Sequence, residues 1–370
     1  MGLRNNPRNK NKGKKSLKKT FEKISEIHPE ISKLRFDIED LRFSTPYEIA
    51  IYRAKRLKCR VIVDACSGLG FQTLAFANEC EKVIAIERDK EKIKKAMENA
   101  KTLGLDNITF FNGDVLSREI VDEVKYAKPD IIFCDPERIE NEKERVLDTI
   151  KPNLNEFLEI YSKITKKIAI EVPPFMQNIN FDCEKEYIYY NERKHLTLYF
   201  NDLKKNEKNA VILPEKTIIE IDKSLNEDKR KMLVEKGRID RFIYEIKEIV
   251  NLAGLIPELV NKLSEMKIRV LEQNKHTFLT SNRIVKSDFF KNKFEVLEIV
   301  GNRFEIILDA LRRHRAKHVV LRMSLDPKEY WEVRKQFEER LDGDRKLHLF
   351  VFGDKAVIAK SLEFEDFTKT

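Results

Sequence analysis

Four acidic residues stand at the ends of apolar runs in the first half of the chain, and their spacing is what could do chemistry. Asp64 closes Val61-Ile-Val and leads into Ala65-Cys66-Ser67-Gly68-Leu69-Gly70. Glu87 closes Lys82-Val-Ile-Ala-Ile, and Asp114 follows Ile108-Thr-Phe-Phe-Asn-Gly. Asp135 closes Asp130-Ile-Ile-Phe-Cys and opens Asp135-Pro136-Glu137-Arg138. Glycines at 68 and 70 let the backbone turn sharply and come close to a ligand. A helix starting at Phe71 would aim its first amides and its dipole at whatever lies over that loop. Glu87 falls about 20 residues past the loop, where a carboxylate can accept ribose hydroxyls. A lone glycine turn is a weak signal. Four strand-end acids in order are hard to assign to turns, and they fit the rule that open α/β sheets bind ligands outside the carboxyl ends of their strands.

Such residues need parallel strands to hold them. The sequence predicts strands at 60–65, 82–87, 107–111, 130–134 and 167–172. Between them it predicts helices at 71–78, 89–103, 117–126 and 152–164. Alternation of this kind implies a doubly wound parallel sheet of the Rossmann-like sort. Upstream, Phe21, Ile24, Ile27 and Ile31 keep an irregular helical spacing that Pro29 interrupts, which predicts two short helices. Thr45 is suited to cap a further helix, with Pro46 at its first position and Glu48 at its third.

The order of these motifs resembles that of class I S-adenosylmethionine-dependent methyltransferases. Asp64, Cys66, Gly68 and Gly70 resemble the family's first motif, with Cys66 in place of the usual first glycine. The resemblance implies S-adenosylmethionine as cofactor, with the Asp64–Gly70 loop against its methionine part. It implies Glu87 on the ribose, Asp114 reading the adenine amino group with Val115 beside it, and Asp135-Pro136 on the catalytic face. In the family the helix before the first motif lies over the cofactor, so Thr45 and Arg53 are candidate contacts. Runs at 186–190, 195–200 and 209–213 fit the antiparallel edge strands that such enzymes add. A nicotinamide dehydrogenase would share the glycine loop and Glu87. Its G-x-G-x-x-G pattern lacks the third glycine here, where Thr73 stands, and it gives no role to Asp64, Asp114 or Asp135-Pro136.

The fourth motif speaks to the substrate. Methyltransferases acting on base amino groups carry an Asn or Asp, two prolines and an aromatic that stacks on the flipped base. This chain has Glu137 and Arg138 in place of the second proline and the aromatic. Enzymes methylating pyrimidine C5 need a cysteine nucleophile; Cys134 is adjacent, but its place on an apolar strand reads as core. Asp135 is expected to accept a hydrogen bond or proton from the acceptor. Arg138 is expected to hold a substrate phosphate, the alternative being an ion pair with Glu137, Glu140 or Asp148.

The Asp-Pro-x-Arg form resembles a narrower group, methyltransferases with a C-terminal THUMP-like domain. Thr45-Pro46 with Arg53, the Val172-Pro173-Pro174 turn and His276–Asn282 match features of that group. The order strand, helix, strand, helix and hairpin over Phe294–Val300, Arg303–Arg315, His318–Met323, Lys328–Leu341 and Lys346–Ala359 matches as well. The predicted organisation is a basic tail over 1–19, an N-terminal helical extension over 20–55 and a methyltransferase domain over 56–213. A helical connector over 214–275 and a smaller α+β domain over 276–370 complete it.

Composition agrees with a large, charged, non-membrane chain. Of 370 residues, 36% are charged, and the formal net charge is +9. Met1 to Lys19 carries Arg4, Arg8, Lys10, Lys12, Lys14, Lys15, Lys18 and Lys19 with no acid. Such a tail either tracks phosphates, with salt-sensitive affinity, or only aids solubility. A second basic group, Arg312, Arg313, His314, Arg315, Lys317, His318 and Arg322, reads either as a nucleic-acid patch or as cations at a helix carboxyl end. The five cysteines are odd in number and show no C-x-x-C pair, which predicts free thiols, no zinc site and a cytoplasmic setting. No apolar run approaches a membrane span. The expected activity is methyl transfer to RNA, transfer or ribosomal. The alternatives are a protein or small-molecule methyltransferase, or an RNA-binding module with a vestigial cofactor site.

Overall fold

The computed structural model describes residues 26, 28–37, 44–137, 150–176, 178–272, 276–323 and 325–362. The expected basic tail, most of the upstream helical stretch, Arg138 and its possible partners Glu140 and Asp148 lie outside them. The chain divides into two compact units, Met1–Ile218 and Ile219–Thr370.

In the first unit, strands β1 (Val61–Ala65), β2 (Lys82–Glu87), β3 (Ile108–Asn112), β4 (Ile131–Cys134) and β5 (Ile168–Val172) lie parallel in the order β3-β2-β1-β4-β5. Helices α1 (Tyr47–Arg56), α2 (Phe71–Glu79), α3 (Lys90–Thr102), α4 (Arg118–Ala127) and α5 (Leu154–Tyr161) accompany them. Every residue of β1, β4 and β5 is buried, as expected of parallel strands covered on both faces. Side-chain caps set three helix starts: Asp89 accepts from the amides of Glu91 and Lys92, Ser117 from Ile120, and Asn153 from Asn155 and Glu156. One core cluster joins Ala50, Ala54, Phe76, Phe133, Ala169 and Tyr199, with Phe76 edge-on to Phe133 at 5.4 Å. It clamps α1 and α2 onto one face of the sheet.

The sheet continues through β7 (Arg193–Phe200), β6 (Cys183–Tyr190), β8 (Lys208–Ile212) and β9 (Thr217–Glu220). The expectation of antiparallel edge strands holds only for β7. It runs against β5 and β6, and β8 then pairs parallel with β6. One reversed strand is enough to carry the chain back across the edge. The capping of α1 also differs from expectation. Pro46 holds an extended ψ of 145°, so the helix begins at Tyr47 and no side chain caps it. The Tyr47 amide instead donates to the Glu26 carbonyl at 2.9 Å.

The second unit is a seven-stranded sheet in the order β11-β12-β10-β13-β16-β15-β14. Its strands are β10 (Phe242–Ile246), β11 (Arg269–Glu272), β12 (Phe278–Ser281), β13 (Phe290–Gly301), β14 (Ala316–Leu321), β15 (Arg345–Phe352) and β16 (Lys355–Ser361). All pairs are antiparallel except β14 with β15. Helices α6 (Glu227–Leu233), α7 (Glu248–Leu252), α8 (Ile256–Lys262), α9 (Phe304–Arg313) and α10 (Pro327–Glu338) complete it. The stretch 214–275 is therefore not a helical connector. It holds α6 to α8, but also β9, β10 and β11, and β10 sits inside the second sheet between β12 and β13. Phe242-Ile-Tyr-Glu-Ile246 is buried throughout. A run of five residues, apolar but for Glu245, is too short for periodicity to tell strand from buried helix.

Candidate active site

The strand order reverses between β1 and β4, which opens a crevice at their carboxyl ends. The loop after β1 turns there through three left-handed residues, Cys66 (φ 65°), Gly68 (φ 55°) and Gly70 (φ 83°). Cys66 is the costly one, since a side chain in this region loses about 1–2 kcal/mol. A Cβ on Gly70 would come 3.0 Å from the Ala96 Cβ, so its bareness lets α2 pack on α3. A Cβ on Gly68 would meet nothing within 4 Å, so the loop there is open to an approaching molecule.

The acids are held differently. Glu87 accepts from the Gly68 amide (2.7 Å) through Oε2 and from the Asp89 amide (2.9 Å) through Oε1, which ties the end of β2 to the glycine loop. Asp114 is exposed and accepts from the Leu116 amide at 2.9 Å. Beside it Val115 is buried, and its carbonyl accepts from the Tyr161 hydroxyl at 2.6 Å. Asp135 is half-buried, its amide 3.3 Å from the Ala65 carbonyl, and Pro136 is buried. Glu137 is exposed and pairs with Arg88.

Asp64 is 1% exposed and accepts from the Thr73 hydroxyl at 2.5 Å. Thr73, which breaks the dinucleotide glycine pattern, thus has a job of its own. Burial pushes Asp64 up to about 7, while Thr73 and Arg53 pull it down and Glu87 pushes it further up. Its other oxygen, Oδ1, and the Ser67 hydroxyl are buried without a hydrogen-bond partner among the described residues.

Arg53 reaches this floor from α1 and is fully buried. It donates to Gln72 (2.8 Å), to Glu171 and to Thr197 (3.3 Å), and lies 4.9 Å over the Phe133 ring. Burial works against its charge, but Glu171, Tyr199 and Asp135 outweigh that and raise its hold on the proton. Register explains the gathering. Phe133 pairs with Asp64 and Ala169, and Ala169 with Tyr199. One pleat from those residues, Asp135, Glu171 and Thr197 emerge on the same face. Arg53 thus lies under the crevice as a hub for its carboxylates, and Thr45 is buried at the start of the same segment.

The sequence reading missed Glu171 and its second partner, His195, whose Nδ1 lies 2.5 Å from Glu171 Oε1. The available signal was an acid inside the otherwise apolar strand Ile168-Ala-Ile-Glu-Val172. Cys134 is wholly buried and its thiol is pushed well above the usual range, by burial and then by Cys66. That matches its reading as a core residue.

The basic group of the second unit is largely neutralised. Arg312 pairs with Asp309, Arg313 and His314 with Glu298, Arg315 with Asp344, and His318 with Glu338. Arg322 pairs with Glu245 and covers the Phe294 ring at 5.2 Å. Lys317 is exposed and has no ion-pair partner among the described residues.

Comparison with known proteins bears on this geometry. Residues 59–202 match the model of a family described as RNA cap guanine-N2 methyltransferase. An uncharacterized RNA methyltransferase of Fusobacterium nucleatum is 30% identical over 177 residues, which is 48% of this chain and 36% of that protein. A 23S rRNA (uracil(1939)-C(5))-methyltransferase of Shewanella sediminis is 38% identical over 77 residues, 21% of this chain and 17% of that one. The chain thus spans little more than a third of the first relative's length. A crystal structure of a candidate methyltransferase from Porphyromonas gingivalis W83 superposes with a TM-score of 0.70 at 19% identity, covering 88% of this chain and 83% of that one. A fold like that of this chain has therefore been seen in a solved protein, and residues 59–202 carry the match to a methyltransferase family model.

Proposed function

We propose that the chain is an S-adenosylmethionine-dependent methyltransferase that acts on RNA by direct transfer to a positioned nucleophile. The observation that carries this is the set of strand-end acids around the β1–β4 crevice, with Glu87 tied to the open glycine loop. The orphaned Asp64 Oδ1 and Ser67 hydroxyl suit a ligand with polar groups at the loop. The excess of carboxylates over the single Arg53 suits a cationic sulfonium and ammonium. Glu87 keeps lone pairs for the ribose hydroxyls, and Asp114 stands where an adenine amino group would be read, next to the apolar Val115.

When bound, the cofactor supplies a methyl group already activated by the sulfonium. The protein's work is then alignment and exclusion of water. Asp135 orients the acceptor and takes its hydrogen bond or proton, with Pro136 stiffening the turn. Arg138 holds a substrate phosphate. Direct transfer fits Cys134, whose buried, protonated thiol is poorly suited to attack a pyrimidine. RNA as substrate rests on the names of the matched family and relatives; ribosomal RNA is favoured by the Shewanella protein, and transfer RNA is the other choice. The unit from Ile219 on is assigned the THUMP-like role of holding RNA, on its order of elements. Five free cysteines fit a reducing, cytoplasmic setting.

The test is labelled methyl transfer from S-adenosylmethionine to unmodified total RNA, followed by nucleoside mass spectrometry. A single labelled nucleoside is expected. Tight cofactor binding with no label in RNA would remove RNA as the substrate.

A further inference from the structure

We infer that the acceptor is an unpaired nucleobase stacked on Phe175, with Lys194 at the ring; this rests on the RNA-methylating reading above. The fourth motif lacks the proline and aromatic that would let Asp135 present a flipped base. The missing pieces stand one strand over, in Pro173-Pro174-Phe175 at the exit of β5. Strands β4 and β5 are parallel neighbours with Cys134 opposite Ile170, so Asp135 and Glu171 stand at the same level. Phe175 comes four residues after Glu171, just past the carboxyl end of β5.

The local structure displays the ring. The Met176 amide donates to the Pro173 carbonyl at 3.0 Å, closing a turn with Phe175 in its third position. Val172, Pro173, Pro174 and Met176 are all buried, whereas Phe175 is 42% exposed. Two prolines restrict the turn, so little freedom is lost when a ligand meets the ring. Lys194, at the start of β7, holds its ammonium 5.4 Å from the ring centroid. An aromatic face with a cation beside it suits a base and its flanking phosphate. Tyr126 provides a contrast. It is 85% exposed, but it sits near the end of α4, just before the chain re-enters the sheet at the amino end of β4.

Kinetics of labelled transfer into unmodified total RNA test this, with Phe175→Ala, Phe175→Leu, Phe175→Tyr and, as control, Tyr126→Ala. Loss of a stacked base raises the RNA KM about tenfold to hundredfold. The Ala and Leu variants should both show this while calorimetric affinity for S-adenosylmethionine stays unchanged. The Tyr variant should restore the wild-type KM, and Tyr126→Ala should match wild type. A ring needed only for packing would be replaced by Leu, so a wild-type KM in Phe175→Leu overturns the inference alone. A wild-type protein that labels protein instead of RNA overturns the parent reading, and this inference with it.

Discussion

The two units treat charge in different ways. In the first, Asp64, Glu87 and Glu171 are buried at one edge of a parallel sheet, and the fully buried Arg53 sits among the carboxylates of Asp64, Asp135 and Glu171. Of its unsatisfied buried atoms, Asp64 Oδ1 lies near the end of β1, Ser67 Oγ on the loop that follows, and Arg53 Nε and Arg56 Nη2 on α1, while Asn209 Oδ1 lies apart on β8. In the second, most cations of the basic group meet an acid, as Arg313 does Glu298, Arg315 does Asp344 and Arg322 does Glu245. Its unsatisfied atoms, on Glu258, Arg269 and Thr277, are scattered through the chain. Folding alone favours pairing every buried charge. A cluster left incomplete at the carboxyl edge of a parallel sheet is therefore more informative than a larger set of cations already met by acids.

The sharpest way to break this contrast is at Asp135. Asp135→Ala should cut methyl transfer about 10²–10⁴-fold and leave calorimetric S-adenosylmethionine affinity within about twofold of wild type. Unchanged turnover would take Asp135 out of the mechanism. Next comes the hub. Arg53→Met leaves Glu171 buried without its cation and should cost about 3–5 kcal/mol in urea unfolding, against about 0.5 kcal/mol for Arg312→Ala. Equal losses would dissolve the distinction between the units.

Titration should separate the units as well. Asp64 holds its proton up to about 7 in the fold, mainly through burial, but only to about 4 when unfolded. Between those values the folded state binds more protons, so this group's contribution to stability falls as pH rises. His348 in the second unit is pushed down to about 4, mainly by burial and then by Arg322 and Lys346. Its contribution is present above about 6.5 and is lost as pH falls toward 4. Hydrogen exchange should therefore show first-unit amides loosening toward pH 8 and second-unit amides toward pH 5. A cationic ligand favours ionised Asp64, so S-adenosylmethionine affinity should rise up to about tenfold from pH 6 to pH 8. Binding at pH 7 should release up to about half a proton, since a group titrating near 7 is half ionised there, seen by calorimetry in buffers of different ionisation enthalpy. Asp64→Asn should flatten both effects. The smallest effect is expected at Arg313. Arg313→Ala should change stability by about 0.2–1 kcal/mol and leave RNA affinity within about twofold. A large, salt-sensitive loss would make the patch a binding surface after all.

The parallel core was legible because each strand is short, apolar and closed by an acid or a turn residue. Asp64, Glu87, Asp114 and Asp135 could be placed on strand ends by counting alone. Glu171 could not, because its partner Arg53 is 118 residues distant, and Arg53 in turn reaches Thr197 across 144 residues, contacts that only the folded sheet brings together. Arg53 was singled out for a different role, since full burial of an arginine leaves no local trace. The basic run over 312–322 left two readings open for the opposite reason. Its neutralising acids, Glu298, Asp344 and Glu245, come from other strands and loops. The strand Phe242–Ile246 was hidden by lying among short helices, with no alternation to mark it.

The wide spacing of the Arg53 contacts has a consequence for synthesis. The carboxylate that neutralises this guanidinium is encoded 118 residues downstream. At about 5–20 residues per second that is roughly 10 s of ribosome travel. Throughout that interval α1 has every reason to stay in water, since an isolated cation gains nothing by leaving it. The floor of the crevice thus cannot close until Glu171 has left the ribosome, well after the glycine loop that it underlies.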